Sequence, residues 1–152
     1  MLINPNLYEG PSKIIISPKN EKWNSGSLYL NDLNLVEGKA YTLTLLSEQT
    51  KNGPGTHDWG FFEKNIETPW KMGKVNTNSY EKIEFTYTSK IYRIILYPGY
   101  RGQSENIGAT FYKIKIEEDE GTLYIPNENA IETAKRQYFI GGGYFKEVYP
   151  IS

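Results

Sequence analysis

The sequence predicts an all-β chain: an antiparallel β-sandwich followed by a short helix-containing arm. Three observations carry this. Apolar residues alternate with period two in successive runs from residue 13 to about 117. Turn formers punctuate the runs, at Glu37-Gly38, Asn52-Gly53-Pro54-Gly55, Asn76 to Asn78 and Pro98-Gly99. No sustained 3.6-residue period occurs before residue 120. Six or more short strands so punctuated argue for an antiparallel sandwich.

KIII (13–16) is a short apolar strand, and SLYLNDLNL (27–35) reads as one bent strand or two short ones. AYTLTLLSEQ (40–49) puts Tyr41, Leu43 and Leu45 on one face and Thr42 and Thr44 on the other. KIEFTYTS (82–89) sets Ile83, Phe85 and Tyr87 against Glu84, Thr86 and Thr88. In IYRIILYP (91–98), Tyr92, Ile94 and Leu96 share one face, and Ile91, Arg93, Ile95 and Tyr97 the other. TFYKIKIEED (110–119) points Tyr112, Ile114 and Ile116 inward and Phe111, Lys113 and Lys115 outward. The acidic run Glu117 to Glu120 reads as a solvated strand end.

The remainder, residues 121–152, reads as an arm appended to a sandwich of residues 1–120. Asn127 or Asn129 can cap a helix there, Ile131, Ala134 and Tyr138 share its face, and Gly141 to Gly143 stop it. The arm packs on the body or on a neighbour, with Tyr138, Phe139, Tyr144, Phe145 and Tyr149 as anchors for a partner's groove.

Composition narrows the function. The 17 basic and 18 acidic residues balance, so no charge footprint points to nucleic acid or an anionic membrane. No apolar run approaches the ~20 residues of a membrane helix. MLINPNLYEG lacks a signal peptide's basic and then apolar pattern, which predicts no export by that route. Without cysteine there is no disulfide, thiolate nucleophile or Cys-based zinc site. Aromatics are abundant, at 14% with 13 Tyr, which suits strands and surfaces that grip a ligand with an amphipathic ring.

Four phrases carry a resemblance. Asn6-Leu7-Tyr8 leads to a Trp-containing loop, and VEGKAYTLTLLSEQ (36–49) is similar to a strand of galactose-binding-like jelly rolls. EKIEFTYTSKIYRIILYPG (81–99) looks like their paired strands, and FYKIKIEEDEG (111–121) resembles their closing strand. The chain thus resembles carbohydrate-binding-module-like domains of phage tail and baseplate proteins, from phages of Gram-positive bacteria. That resemblance implies a jelly roll, a non-catalytic role in the virion, and two kinds of partner: host cell-wall saccharide and other tail or baseplate proteins. The alternative is a structural module of the tail that binds another virion protein through the arm.

The residues themselves supply a candidate site. A sugar offers a patch of C–H bonds and a rim of hydroxyls, answered by an aromatic platform and by polar side chains. HDWGFFEKNIETPW (57–70) holds Trp59 and Trp70 as platforms, with His57, Asp58 and Glu63 beside them, after a glycine-proline loop that would expose them. Trp23, in PKNEKWNSG, is expected to pack under the sheet rather than meet ligand. A second cluster is Arg93, Tyr97, Tyr100 and Arg101, where a guanidinium amid tyrosines can bind a polyhydroxylated or phosphorylated saccharide. Pairing of Arg93 with Glu84 across strands is the bland alternative.

Enzyme chemistry finds no footing. Glycoside hydrolysis needs two carboxyl groups facing across a cleft, and nothing marks Asp58 and Glu63 as such a pair. There is no Gly-x-Ser-x-Gly elbow, and a single histidine cannot build a His-rich metal site. Glu9 and Asp119 offer oxygens but fall short of a calcium shell. No cofactor or metal is expected.

Overall fold

The computed structural model describes residues 3–50, 53–77 and 80–127. Among these described residues, eight strands form two four-stranded antiparallel sheets. They are β1 (Lys13–Ile16), β2 (Gly26–Tyr29), β3 (Ala40–Gln49), β4 (Thr56–Glu63), β5 (Lys71–Asn76), β6 (Glu81–Thr86), β7 (Ile91–Tyr97) and β8 (Ala109–Glu118). One sheet runs β1-β8-β3-β6, the other β2-β7-β4-β5. Only β4 and β5 are consecutive neighbours within a sheet; every other connection crosses between sheets, which is the winding of a jelly roll. Among the described residues there is no helix. The helix expected within the arm, its glycine stop and its aromatic anchors lie outside them.

The core between the sheets is built as alternation dictates. Tyr41, Leu43 and Leu45 of β3, Ile83 and Phe85 of β6, and Ile94 and Leu96 of β7 all enter it. Two β-bulges change the faces elsewhere. On β8 an extra residue sits between the partners of Thr44 and Leu46, and Lys113 there takes a positive φ of 49°. The bulge therefore reverses the inward face expected N-terminal to it. Phe111 is buried in the core and Tyr112 is not, while Ile114 and Ile116 stay inward. On β7 the register shifts where Phe62 pairs with Arg93 but Glu63 with Ile91. Ile91 consequently joins the core, and Tyr92 meets Tyr29 edge-on at 5.5 Å.

The largest departure from the sequence reading is β4. Residues 57–63, expected to border an exposed loop, form a central strand flanked by β7 and β5. It is buried on both faces, so its pattern is continuous rather than alternating. His57, Trp59 and Phe61 point to the core side, where His57 meets Phe111 and Trp59 meets Phe61. Gly73, opposite Trp59 on β5, makes room for the indole: a Cβ there would lie 2.5 Å from it.

The outer face of the first sheet is also covered. Thr42, Thr44, Lys115 and Glu117 are buried beneath the segments around residues 4–8 and 121–127. Glu117, expected in solvent, is fully buried, 3.4 Å from the equally buried Lys115 ammonium. Its other carboxylate oxygen accepts hydrogen bonds from the Thr122 amide and hydroxyl and from Asn4. Lys115 in turn donates to the Thr122 hydroxyl and the Leu123 carbonyl. Asn6 joins the termini, donating to the carbonyls of Ile114 and Ile125, and its own carbonyl accepts from Asn127. The first residues assigned to the arm are thus stitched to the sandwich.

Candidate functional site

The outer face of the second sheet carries an open groove of about 670 Å³. Alternation on β4 and β7 sends Phe62, Arg93, Ile95 and Tyr97 to this face, opposite the core residues Phe61, Ile94 and Leu96. Phe62, Ile95 and Tyr97 form a small apolar cluster, the groove's floor. Its walls come from two loops: Ile66 to Pro69 between β4 and β5, and Trp23 with Arg101.

Trp23 is the most exposed indole of the chain, at 62%. Exposure here does not mean freedom. The ring stands edge-on to Tyr97, centroids 6.5 Å apart at 66°, and a Cβ on Gly102 would come within 3.2 Å of it. Gly102 holds a positive φ of 78°, a conformation glycine adopts without penalty, and so lets the loop backbone approach the indole. Asn24, almost fully buried, locks the loop by donating to the carbonyls of Ser17 and Ile107 at 2.8 and 3.1 Å. The amides of Ser104 and Asn106 donate to the carbonyls of Lys22 and Lys19, joining this loop to the one carrying Arg101. Asn24→Ala should leave two buried carbonyls short of donors, at a cost of about 1–3 kcal/mol in folding. We expect a lower urea midpoint and a more mobile Trp23 fluorophore, read by anisotropy. Unchanged values for both would show that the loop is held otherwise.

Arg93 and Arg101 bring positive charge. Arg93 donates to the Ser27 hydroxyl at 3.0 Å, and Arg101 approaches the Met72 thioether at 3.2 Å. Burial raises the pKa of the Tyr97 hydroxyl, while the charges of Arg101 and then Arg93 work against that rise. The expected alternative for Arg93 does not arise, because Glu84 lies on β6 in the other sheet. Asp58 serves the loop: its carboxylate accepts the Arg101 backbone amide at 2.9 Å.

Other expected site residues lie elsewhere. Trp59 is 7% exposed and belongs to the core, a correction that follows from β4 being central. Tyr100 faces the Lys74 ammonium, 4.7 Å from its ring centroid, outside the groove lining. Trp70 is 47% exposed but borders a different cavity of about 740 Å³, with Lys71, Glu84, Asp119 and Glu120. Thus Arg93, Tyr97 and Arg101 share one groove, Asp58 holds the Arg101 backbone beside it, and Trp23, Phe62 and Ile95 complete it. The sequence reading set Trp23 aside. The signal that points the other way is its polar setting: a tryptophan among Lys, Asn, Glu and Ser has no apolar run to carry it inward.

His57 is fully buried, its Nδ1 donating to the Pro98 carbonyl at 3.0 Å and its Nε2 without a partner. It cannot reach a ligand in the groove. Burial lowers its pKa below the ordinary value, so between the two values the unfolded chain holds a proton that the folded chain lacks. The stability involved is complete above about pH 6.5 and declines as pH falls below it. His57→Asn, whose side-chain amide can place a donor where Nδ1 meets Pro98, should flatten the loss of Tm between about pH 7 and 5. An identical acid slope in the variant would exclude His57 as its source.

No protein-family model matches the chain, and no curated protein matches it. Among solved structures it is similar to a carbohydrate-binding module of family 4, at 16% identity and a TM-score of 0.48, over 70% of this chain and 71% of that one. It is similar also to the CBM22-1 xylan-binding domain of Paenibacillus barcinonensis Xyn10C, at 13% identity and 0.44, over 76% and 77% of the two chains. A third likeness is to Bacillus endospore appendages that form disulfide-linked pili, at 12% identity and 0.37, over 72% and 84%. These likenesses concern overall architecture.

Proposed function

We propose that the chain is a non-catalytic saccharide-binding domain whose site is the groove on the outer face of the second sheet. One observation carries the reading: Trp23 keeps most of its surface in water yet is braced by Tyr97 and Gly102 beside two guanidiniums. An exposed, immobilised indole offers a flat apolar face to a pyranose, and the neighbouring donors meet its hydroxyls. Because the platform is already held, binding loses little entropy in ordering it. The groove is open rather than enclosed, which suits a chain-like ligand lying along the sheet. Among the described residues that line it, Glu67 is the only carboxylate, so the facing pair required for glycoside hydrolysis is missing from this lining.

The setting we propose is the one the sequence phrases suggest: a phage tail or baseplate, where the domain meets host cell-wall saccharide during adsorption. Weak single-site binding is sufficient there, since many copies on one particle add an avidity of about 10²–10⁴. A fluorescent fusion is expected to label Gram-positive host cells and to lose that labelling after acid extraction of wall polysaccharide. Labelling that survives extraction would point instead to a protein receptor. Capture of another tail protein through residues 121–152, without cell labelling, would favour the assembly role.

A further inference from the structure

The charges of the groove go beyond what a neutral sugar requires. Arg93 and Arg101 both line it, and among the described residues neither lies within ion-pair distance of a carboxylate. Their partners are a serine hydroxyl and a thioether, and the Arg101 Nη1 is buried without any acceptor. Two acidic groups are near. Asp58 is turned to the Arg101 backbone amide, and Glu67 lines the wall on the β4–β5 loop. A guanidinium carries five N–H donors in a planar fork that matches a carboxylate or phosphate. The two guanidiniums thus commit two of their ten N–H donors, and both side chains line one groove beside an aromatic platform.

We propose that the saccharide taken by this groove is anionic, bearing carboxylate or phosphate groups, with Arg93 and Arg101 as its anchors. This rests on the saccharide reading above and narrows it. The sugar face lies on Trp23, and the acidic substituents accept from the two forks. An acidic ligand satisfies donors that a neutral chain would meet only with weaker, uncharged acceptors. Arginine is the apt residue, since it keeps its charge at every accessible pH and binds such groups bidentately.

Three probes separate the possibilities by calorimetric titration: neutral xylohexaose, a hexamer of galacturonic acid carrying carboxylates, and a phosphomannan oligomer whose sugar rings carry phosphate. One of the acidic oligomers should bind at least about tenfold more tightly than the neutral one. Which of the two it is identifies carboxylate or phosphate as the source. Its affinity should fall severalfold between about 50 and 500 mM NaCl, where the screening length shortens markedly. Arg93→Gln and Arg101→Gln should each lose about tenfold toward the acidic probe, with Arg93→Lys between. Should either glutamine variant fail to fold, the salt series and the neutral comparison on the unaltered protein decide the matter. Equal, salt-insensitive binding of xylohexaose and the acidic oligomers would overturn the anionic assignment while leaving saccharide binding intact. No binding of any of the three, together with absent cell labelling, would overturn the saccharide reading itself.

Discussion

Trp23→Ala is expected to weaken saccharide binding by about 30-fold, roughly 2 kcal/mol, while leaving the fold intact. The indole is mostly exposed, so its removal takes little from the core. What it removes is the only tryptophan ring that lines the sheet-face groove among the described residues. Trp70→Ala is the matched control, since Trp70 is comparably exposed but borders the other cavity. Affinity for the wall saccharide, measured by titration, should drop for the first variant and hold for the second. The reverse pattern would move the site to the cavity beside β6. A loss in both would indicate that saccharide contacts extend beyond the groove.

The second large effect concerns stability. Glu117→Ala should cost about 3–5 kcal/mol in unfolding free energy, because it strands the Lys115 ammonium in a buried setting. Burial already pulls the Lys115 pKa down, and the Glu117 charge opposes that pull. The variant also takes the acceptor from the Thr122 amide and from Asn4, loosening residues 121–127. The Lys115→Met/Glu117→Leu pair should regain much of the loss, as apolar replacements of buried ion pairs commonly do. Urea unfolding of the three proteins tests this. A single-variant loss below about 1 kcal/mol would mean that the pair is solvated in practice.

Much of the sandwich was legible in the sequence where one strand face meets the core and the other does not. β3 and β6 show this: Tyr41, Leu43, Leu45, Ile83 and Phe85 occupy the expected side. β4 escaped because a central strand covered on both faces loses its alternation, and Gly60 interrupts what remains. That single omission misplaced Trp59 and His57, which a loop would have exposed and a central strand buries. The bulges at Lys113 and Tyr92 were likewise out of reach, since neither residue type announces an extra position in a ladder. Glu117 reads as solvated because its neighbours in sequence are acidic, although its neighbours in space are Lys115, Thr122 and Asn4.

The site was half legible for the same reason. Arg93 and Tyr97 share a face by period two, and that relation survives the bulge because both lie beyond it. Trp23 depends on a loop folding over from the far side of β2, held by Asn24 and Gly102. No local pattern encodes that meeting.

The most direct test uses the chain's three indole N–H groups as reporters, in a titration of ¹⁵N-labelled protein with purified wall saccharide followed by NMR. The Trp23 resonance should shift or broaden as saccharide is added, while those of Trp59 in the core and Trp70 at the other cavity stay in place. A titration that moves Trp70 and leaves Trp23 still would contradict the proposed site.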